Sequence, residues 1–142
     1  MIDRRLKTLI LIYLWIATIE DVTLFTISWV VPSLWFRVFH HSLPATAIEI
    51  ALLRRNGGQW AAFALGQAIA LWRWRKAPEW LAVSAGIRFS DLFTDISYLV
   101  SAPSLTLLGR IILPVFPLLN LVGIVLFLHG YRQILKSKTS GA

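Results

Sequence analysis

The chain has 142 residues, 57% of them hydrophobic, and a mean hydropathy of +0.68, so its apolar content exceeds the ~45–50% typical of soluble domains. It contains no cysteine, which excludes disulfides, cysteine-ligated iron–sulfur clusters and a thiol nucleophile. The formal net charge is +7, but the basic residues cluster at the ends of apolar segments, which favours anionic lipid over nucleic acid as the partner.

The apolar segments predict an all-α protein: an integral membrane four-helix bundle in a single membrane domain, residues 1–142. A span needs about 20 apolar residues, so four spans fit. They are predicted at about residues 8–31, 57–74, 78–100 and 109–131. The first segment is expected to remain as a span, because no small-residue cleavage site of a signal peptide follows it.

The connections carry three further predictions. Pro32 is expected to loosen the end of the first span. A helix-forming run at residues 45–53 is too short to cross a membrane, and it is interpreted as an interfacial helix or as an extension of the second span. Pro114 and Pro117 are expected to kink the fourth span and to free carbonyl groups next to Asn120.

The basic residues predict an N-in, C-in topology by the positive-inside rule. With the N-terminus in the cytoplasm, that side holds Arg4, Arg5, Lys7, Arg73, Arg75, Lys76, Arg132, Lys136 and Lys138. The opposite side holds only Arg37, Arg54, Arg55 and Arg110.

Polar residues interrupt all four predicted spans at about the same depth. At a rise of about 1.5 Å per residue, each lies roughly 15–20 Å from the start of its span, except Asp95, which lies one turn further out. The members of this predicted polar layer are Glu20, Asp21, Gln67, Arg88, Asp91, Asp95 and Asn120. Since a charge at the bilayer centre costs about 2.5–3.5 kcal/mol on insertion scales, these groups must satisfy one another or have a use.

The layer holds one arginine and four carboxylates. Ser84, Arg88, Asp91, Asp95 and Tyr98 follow steps of four, three, four and three, which places them on one helix face. The formal charge of the layer is −3 if all four carboxylates ionise, so at least one of them is expected to be protonated; the other solutions are a bound cation, a wet cavity or a basic group from a partner chain. Three interpretations stay open: a structural network, a site for a proton, cation or polar headgroup, and a site completed by another subunit.

Small residues recur every four positions on the second and third spans. Gly58, Ala62, Gly66 and Ala70 form one stripe, and Ala82, Gly86 and Ser90 form another. Such stripes let helix backbones approach closely. Packing within the bundle is the favoured interpretation, with a dimer interface as the alternative.

Catalytic and metal-binding motifs are not recognisable. His40 and His41 are adjacent, so they point to different faces of a helix and are poor joint ligands; together with His129 they are interpreted as interfacial. The Glu-x-x-His pairs of a di-iron bundle are missing. The sequence therefore indicates no catalytic residue and no metal site, and it leaves the cofactor unknown.

Three segments resemble the DoxX-like group of small four-helix bacterial membrane proteins: residues 54–60, 72–80 and 86–91. The resemblance implies a four-helix bundle in a bacterial cytoplasmic (inner) membrane. Roles in that group range from accessory subunits of membrane oxidoreductases to uncharacterised proteins. This chain departs from the group at Glu20–Asp21 and at Asp95, so no functional residue is carried over.

Small size and the lack of catalytic motifs lead first to an accessory or structural subunit of a larger membrane complex. The alternative is a transporter or binding protein that uses the polar layer for a proton, a cation or a lipophilic ligand. A membrane enzyme acting on a lipid- or quinone-like substrate is the third hypothesis. The expected partners are the lipid bilayer and either other membrane subunits or a second copy of the chain.

Overall fold

The computed structural model describes residues 3–41, 44–102 and 104–139, with side chains described as far as residue 137. This part of the chain is helical apart from short connections and one isolated bridge between His40 and Leu105, so the prediction of an all-α fold is confirmed. The helices are α1 (Arg4–Val30), α2 (Pro32–Phe39), α3 (Ala47–Arg73), α4 (Glu79–Ser101), α5 (Leu107–Ile112) and α6 (Val115–Thr139).

Two helical stretches in the described residues are long and apolar enough to cross a membrane. They are α1 and the combined α5–α6 stretch, Leu107–Ser137, with mean hydropathies of 1.7 and 2.6. Only 22% of the most apolar window of each stretch is buried inside the chain, so most of its apolar surface faces outward. The helices α3 and α4 do not meet the same criterion, because charged and amide side chains lower their hydropathy.

The four long helices alternate in direction and pack mainly as two pairs, α1 with α3 and α4 with α6. Contacts between α3 and α4 and between α1 and α6 close the bundle, whereas the diagonal pairs make no close backbone approach. Two hydrophobic clusters fill the two ends. The first is centred on Ile10, Leu14 and Trp74, and the second on Trp35 and Trp60.

The second predicted span is longer than expected, because the helix-forming run before it is an extension of the same helix. Thr46 begins α3 with a capping box: its hydroxyl accepts from the Glu49 N–H at 3.3 Å, and the Glu49 carboxylate accepts from the Thr46 N–H at 2.6 Å. Both groups thus satisfy backbone donors that a helix start leaves unpaired.

The prolines behave differently from one another. Pro32 starts α2 instead of only loosening α1, since a proline is well suited to the first helical position. Pro114 interrupts the fourth predicted span between α5 and α6, where the expected distortion is found. Pro117 lies in the first turn of α6, and the carbonyl that its ring and missing N–H affect is that of Leu113, four residues earlier, in the same interruption.

The predicted packing role of the small-residue stripes needs correction. A Cβ built on Gly58 or Gly86 meets no atom within 4 Å, and both glycines and Ala62 are exposed. These three residues therefore do not bring helices of the same chain together, because their helix faces point away from the neighbouring helices. Gly66 contacts Ile87 of α4, and Ala70 is buried in the first hydrophobic cluster.

The close approach between α1 and α3 occurs instead at the neighbouring Gly57. A Cβ there would collide with the Ser28 hydroxyl and come within 2.7 Å of the Trp29 ring. The sequence periodicity correctly indicates helices. On α3, however, the face that packs against α1 contains Gly57 and not the adjacent Gly58.

Candidate functional site

A buried ion pair lies at the centre of the bundle, between the two hydrophobic clusters. The Arg88 Nη2 atom of α4 donates to the Asp21 Oδ2 atom of α1 at 2.5 Å. The exposed fractions of these side chains are 1% and 0%. Gln67 of α3, also fully buried, donates its amide N–H to the same carboxylate oxygen. Three helices therefore meet at Asp21.

The fourth long helix joins this network through Asn120 of α6. Its Oδ1 atom accepts from Arg88 Nη1 at 3.2 Å. Its Nδ2 atom donates to Asp91 Oδ2 at 3.2 Å and to Asp95 Oδ2 at 2.8 Å. The amide thus uses its two ends for opposite charges, holding the arginine on one side and two aspartates on the other.

All seven residues of the predicted polar layer lie at this level, and the structure brings them into one group. Glu20 is the most loosely attached, with its Oε2 atom 3.9 Å from Arg88 Nη1 and a side chain that is 20% exposed. Asp91 lies closer to the same nitrogen, at 3.5 Å.

Helical spacing explains which side chains enter the group. On α1, Ala17, Asp21 and Ser28 are buried and share the inward face. On α4, Ser84, Arg88 and Asp91 do the same, as their spacing of four and three residues requires. The charged residues are buried because they lie on the same helix face as the apolar residues that form the core.

The network leaves acceptors and charge unsatisfied. Among the described residues, Arg88 provides every ion pair of these carboxylates, and Asp95 forms none. The buried Oδ1 atoms of Asp21 and Asp91 have no hydrogen-bond partner among the described residues, and the Trp60 indole lies beside the Asp91 carboxylate. Since an unpaired buried acceptor costs about 1–3 kcal/mol, a proton, a cation or a polar group bound at this point would be stabilised.

A partly enclosed cavity adjoins the unsatisfied carboxylates. Its volume is about 50 Å³, which exceeds the ~10–15 Å³ that one water molecule needs. Glu20, Asp91 and Asp95 line one part of it, and the rest is largely aromatic and aliphatic. The other principal lining residues are Trp35, Trp60, Tyr98, Leu53, Asn56 and Phe116. We call it the inner cavity.

A second, more open cavity of about 370 Å³ continues from the inner cavity toward the end of the bundle where α2 lies. The two share Trp35, Leu53, Asn56 and Tyr98 as lining residues. Phe36, Leu52, His40 and Glu49 are among the others. We call it the outer cavity. Together the two cavities connect the polar layer with one end of the molecule.

Three hydrogen-bonded aromatic side chains, those of Trp35, Tyr98 and His40, lie where the two cavities meet. Trp35 Nε1 donates to the Tyr98 hydroxyl at 3.0 Å, and the same hydroxyl bonds His40 Nε2. The residue spacing predicts Tyr98 on the polar face of its helix, whereas His40 is predicted only to be interfacial. The partners are 58 and 63 residues apart, so only the tertiary fold brings them together.

Glu49 contributes a charge at the mouth of the outer cavity. Hydrogen bonds from the side chain and the backbone N–H of Thr46 lower the pKa of the Glu49 carboxyl below its ordinary value of 4.5. This carboxylate is therefore ionised at neutral pH. A cation that approaches the outer cavity meets a fixed negative charge there.

Within residues 3–41, 44–102 and 104–139, the structure shows no group of three or more His, Cys, Asp or Glu side chains arranged to hold a metal ion. Comparison with protein-family models, with curated proteins and with solved structures finds no match for this chain. The resemblance to DoxX-like proteins thus stays a prediction.

Proposed function

We propose that this chain is an integral membrane protein of the cytoplasmic membrane, with α1, α3, α4 and α5–α6 as four spans and both termini in the cytoplasm. The outward-facing apolar surfaces of α1 and α5–α6 support this. For α3 and α4, the burial of Gln67, Arg88 and Asp91 in the centre of the bundle removes these polar side chains from contact with lipid.

We propose further that the polar layer binds and passes a proton or a cation. The observation that carries this proposal is the position of Asp91 and Asp95. Both line the inner cavity, and Arg88, the one basic side chain near them in the described part of the chain, shares its single charge among Asp21, Asp91 and Glu20. The excess negative charge therefore lies on the cavity side of the network, where a mobile positive species can reach it.

The chemistry available at this point is ion exchange rather than covalent catalysis. The carboxylates take up and release a proton or a cation, while Asn120 holds them at fixed positions through its amide N–H groups. The buried Arg88–Asp21 pair keeps the helices in register during the exchange. Intramembrane carboxylates that face a cavity are the usual components of proton and ion pathways.

A flux measurement tests this function. The purified chain is reconstituted in liposomes that contain a pH-sensitive dye, and proton movement is followed after a pH jump with and without a membrane potential. We expect a flux that Asp95→Asn reduces at least tenfold and that Glu79→Gln, a change at an exposed carboxylate of the same helix, leaves unchanged. An equal flux in empty liposomes, or an unchanged flux in Asp95→Asn, would contradict the proposal for protons, and the same assay with Na⁺ or K⁺ gradients decides for metal cations.

An accessory role in a larger membrane complex is the second candidate. The exposed small residues Gly58, Ala62 and Gly86 favour it, since they offer flat helix faces to another membrane helix. The mass of the particle extracted in mild detergent tests it. Copurifying subunits in fixed ratio would support the accessory role, whereas a particle of this chain and lipid alone would contradict it.

A further inference from the structure

We propose that the inner and outer cavities form one binding site for an amphiphilic organic monocation, in which a quaternary or protonated ammonium group enters the inner cavity and an apolar body fills the outer one. The inference rests on the proposed function and specifies its ligand. It follows from the lining of the two cavities, their sizes and the distribution of charge.

The lining of the inner cavity combines carboxylates with aromatic rings. Glu20, Asp91 and Asp95 supply negative charge, and Trp35 and Trp60 supply indole rings. The centroids of these two indole rings are 5.7 Å apart, and Tyr98 lies 6.1 Å from Trp35. Aromatic groups around an alkylated ammonium ion are the recognised protein solution for binding this kind of cation.

The aromatic lining also argues against a metal ion as the ligand. A metal cation requires a cage of oxygen ligands at short distance, and the described side chains form no such cage here. An organic ammonium ion needs no inner coordination sphere. It is stabilised by negative charge at a distance and by aromatic rings, and the lining of the inner cavity contains both.

Asp91 has an unsatisfied carboxylate oxygen, which a positively charged or proton-donating group in the inner cavity would satisfy. Its side chain is 7% exposed, and the buried Oδ1 atom accepts no hydrogen bond among the described residues. The neighbouring Asp95 has Asn120 as its hydrogen-bond donor but no ion pair among the described residues. A monocation placed between these carboxylates and the rings would supply the missing charge.

The two volumes set the shape of the ligand. The inner cavity, at about 50 Å³, accommodates a headgroup but not a drug-sized molecule. The outer cavity, at about 370 Å³, reaches the ~300–1,000 Å³ range of small-molecule sites. Phe36, Leu52 and Leu53 make part of its wall apolar. A ligand with a small cationic headgroup and a larger apolar body therefore matches the small inner cavity and the larger outer cavity.

The test uses the full chain in lipid nanodiscs with benzyltrimethylammonium as the probe. Neopentylbenzene is its neutral isostere, in which carbon replaces the charged nitrogen. Binding is followed by tryptophan fluorescence and by saturation-transfer NMR of the probe. We expect saturable binding of the cation and no saturable binding of the isostere.

Two pairs of variants locate the site. Asp95→Asn should weaken binding at least tenfold, and Glu79→Gln should not change it. Trp60→Leu should weaken binding by about three- to tenfold because a ring face is lost, whereas Trp72→Leu, at a ring that is 81% exposed, should have no effect. All four variants are first compared with the wild type by circular dichroism and gel filtration, and a variant that misfolds is replaced by Asp91→Asn or Trp35→Phe.

Equal binding of the cation and its isostere, or binding that neither Asp95→Asn nor Trp60→Leu weakens, would overturn the assignment of the ligand. The flux assay contains no organic cation, so an Asp95-dependent proton flux combined with failure of benzyltrimethylammonium to bind would reject this inference and leave the proposed function standing.

Discussion

Arg88 of α4 and Asp21 of α1 form a buried ion pair between two helices that are not neighbours in the bundle. Their ion pair measures 2.5 Å between Nη2 and Oδ2 and lies across a diagonal of the bundle, where the backbones of α1 and α4 make no close approach. The long arginine side chain bridges this gap, and hydrogen bonds from Gln67 and to Asn120 hold the two ends of the bridge in place.

Replacement of Arg88 by methionine should destabilise the chain strongly, by about 3–5 kcal/mol, because Asp21 is left as a buried charge without a partner. Methionine keeps much of the side-chain volume, so lost packing contributes little. The midpoint of thermal unfolding in detergent, measured by circular dichroism, checks the effect.

Arg110→Met is the matched control for this change, since Arg110 is exposed on α5 and its loss should cost less than about 0.5 kcal/mol. The double variant Asp21→Asn with Arg88→Met should recover part of the lost stability, because the most deeply buried of the unpaired carboxylates is then neutral. If Arg88→Met were as stable as Arg110→Met, the ion pair would have no structural role.

Substitution Asn120→Asp should destabilise the chain by about 2–4 kcal/mol although the side chain keeps its shape. An ionised aspartate cannot donate the two hydrogen bonds to Asp91 and Asp95, and it adds a third negative charge beside them. The isosteric change Gln133→Glu near the end of α6 is the control and should be close to neutral. Thermal unfolding in detergent measures both.

Moving the charge provides the stricter test of Asn120. The double variant Asn120→Asp with Asp95→Asn restores one donor and the original net charge, and it should regain at least half of the stability that Asn120→Asp loses. No recovery would show that the position of the amide, and not the charge balance, is what the bundle requires.

The adjacent glycines at the start of α3's contact with α1 should respond in opposite ways to alanine. Gly57→Ala places a methyl group against Ser28 and 2.7 Å from the Trp29 ring, so we expect a loss of about 1–3 kcal/mol from overpacking. Gly58→Ala meets no neighbour and should stabilise the helix by up to about 1 kcal/mol. Thermal unfolding of the two variants in the same detergent decides, and equal effects would mean that α1 and α3 do not approach at Gly57.

The capping box of α3 should lose its contribution to stability in acid. The folded state has a lowered pKa at Glu49, so the stabilisation is present above the ordinary value of 4.5 and disappears as the pH falls through the lowered value. Thr46→Ala removes the hydroxyl that donates to the carboxylate at 2.7 Å, and the pKa of Glu49 should move upward. A ¹³C NMR titration of the Glu49 carboxyl measures the shift.

The control for this titration is Thr8→Ala, because Thr8 bonds a backbone carbonyl of its own helix and no carboxylate. An unchanged titration of Glu49 in Thr46→Ala would show that the backbone N–H of Thr46 alone sets the pKa.

The level of the polar layer could be predicted from the sequence, because helix rise and alternating direction determine depth. Which side chains of the layer form hydrogen bonds or ion pairs with one another could not be predicted from the sequence. Glu20 and Asp21 are consecutive residues, so a rotation of α1 by about 100° exchanges which of them faces inward. The structure buries Asp21 completely and leaves Glu20 at 20% exposure. This choice follows from packing against the other helices, on which local sequence carries no information.

The end of the bundle near α2 was predicted least well, for a similar reason. Pro32 is expected to loosen the end of the first span, and in the structure it also starts a second helix. The bond between His40 and Tyr98 joins segments far apart in the chain, and no periodic pattern marks it. Long-range polar contacts of this kind depend on where each loop returns, and residues 42–43, which belong to that return, lie outside the described part of the chain.

The contacts between α2 and the start of α5 constrain the order in which the protein is completed during synthesis. Thr106 donates to the Val38 carbonyl at 2.7 Å and to the Phe39 carbonyl at 3.0 Å, and a Cβ on Gly109 would lie 2.6 Å from the latter oxygen. The first of these bonds spans 68 residues. When α1 to α4 have been synthesised and Thr106 has not, the Val38 and Phe39 carbonyls of α2 still lack these hydrogen-bond donors. That end of the molecule therefore cannot close until α5 has been made, and a ligand or lipid headgroup has freer access to the interior through it before then.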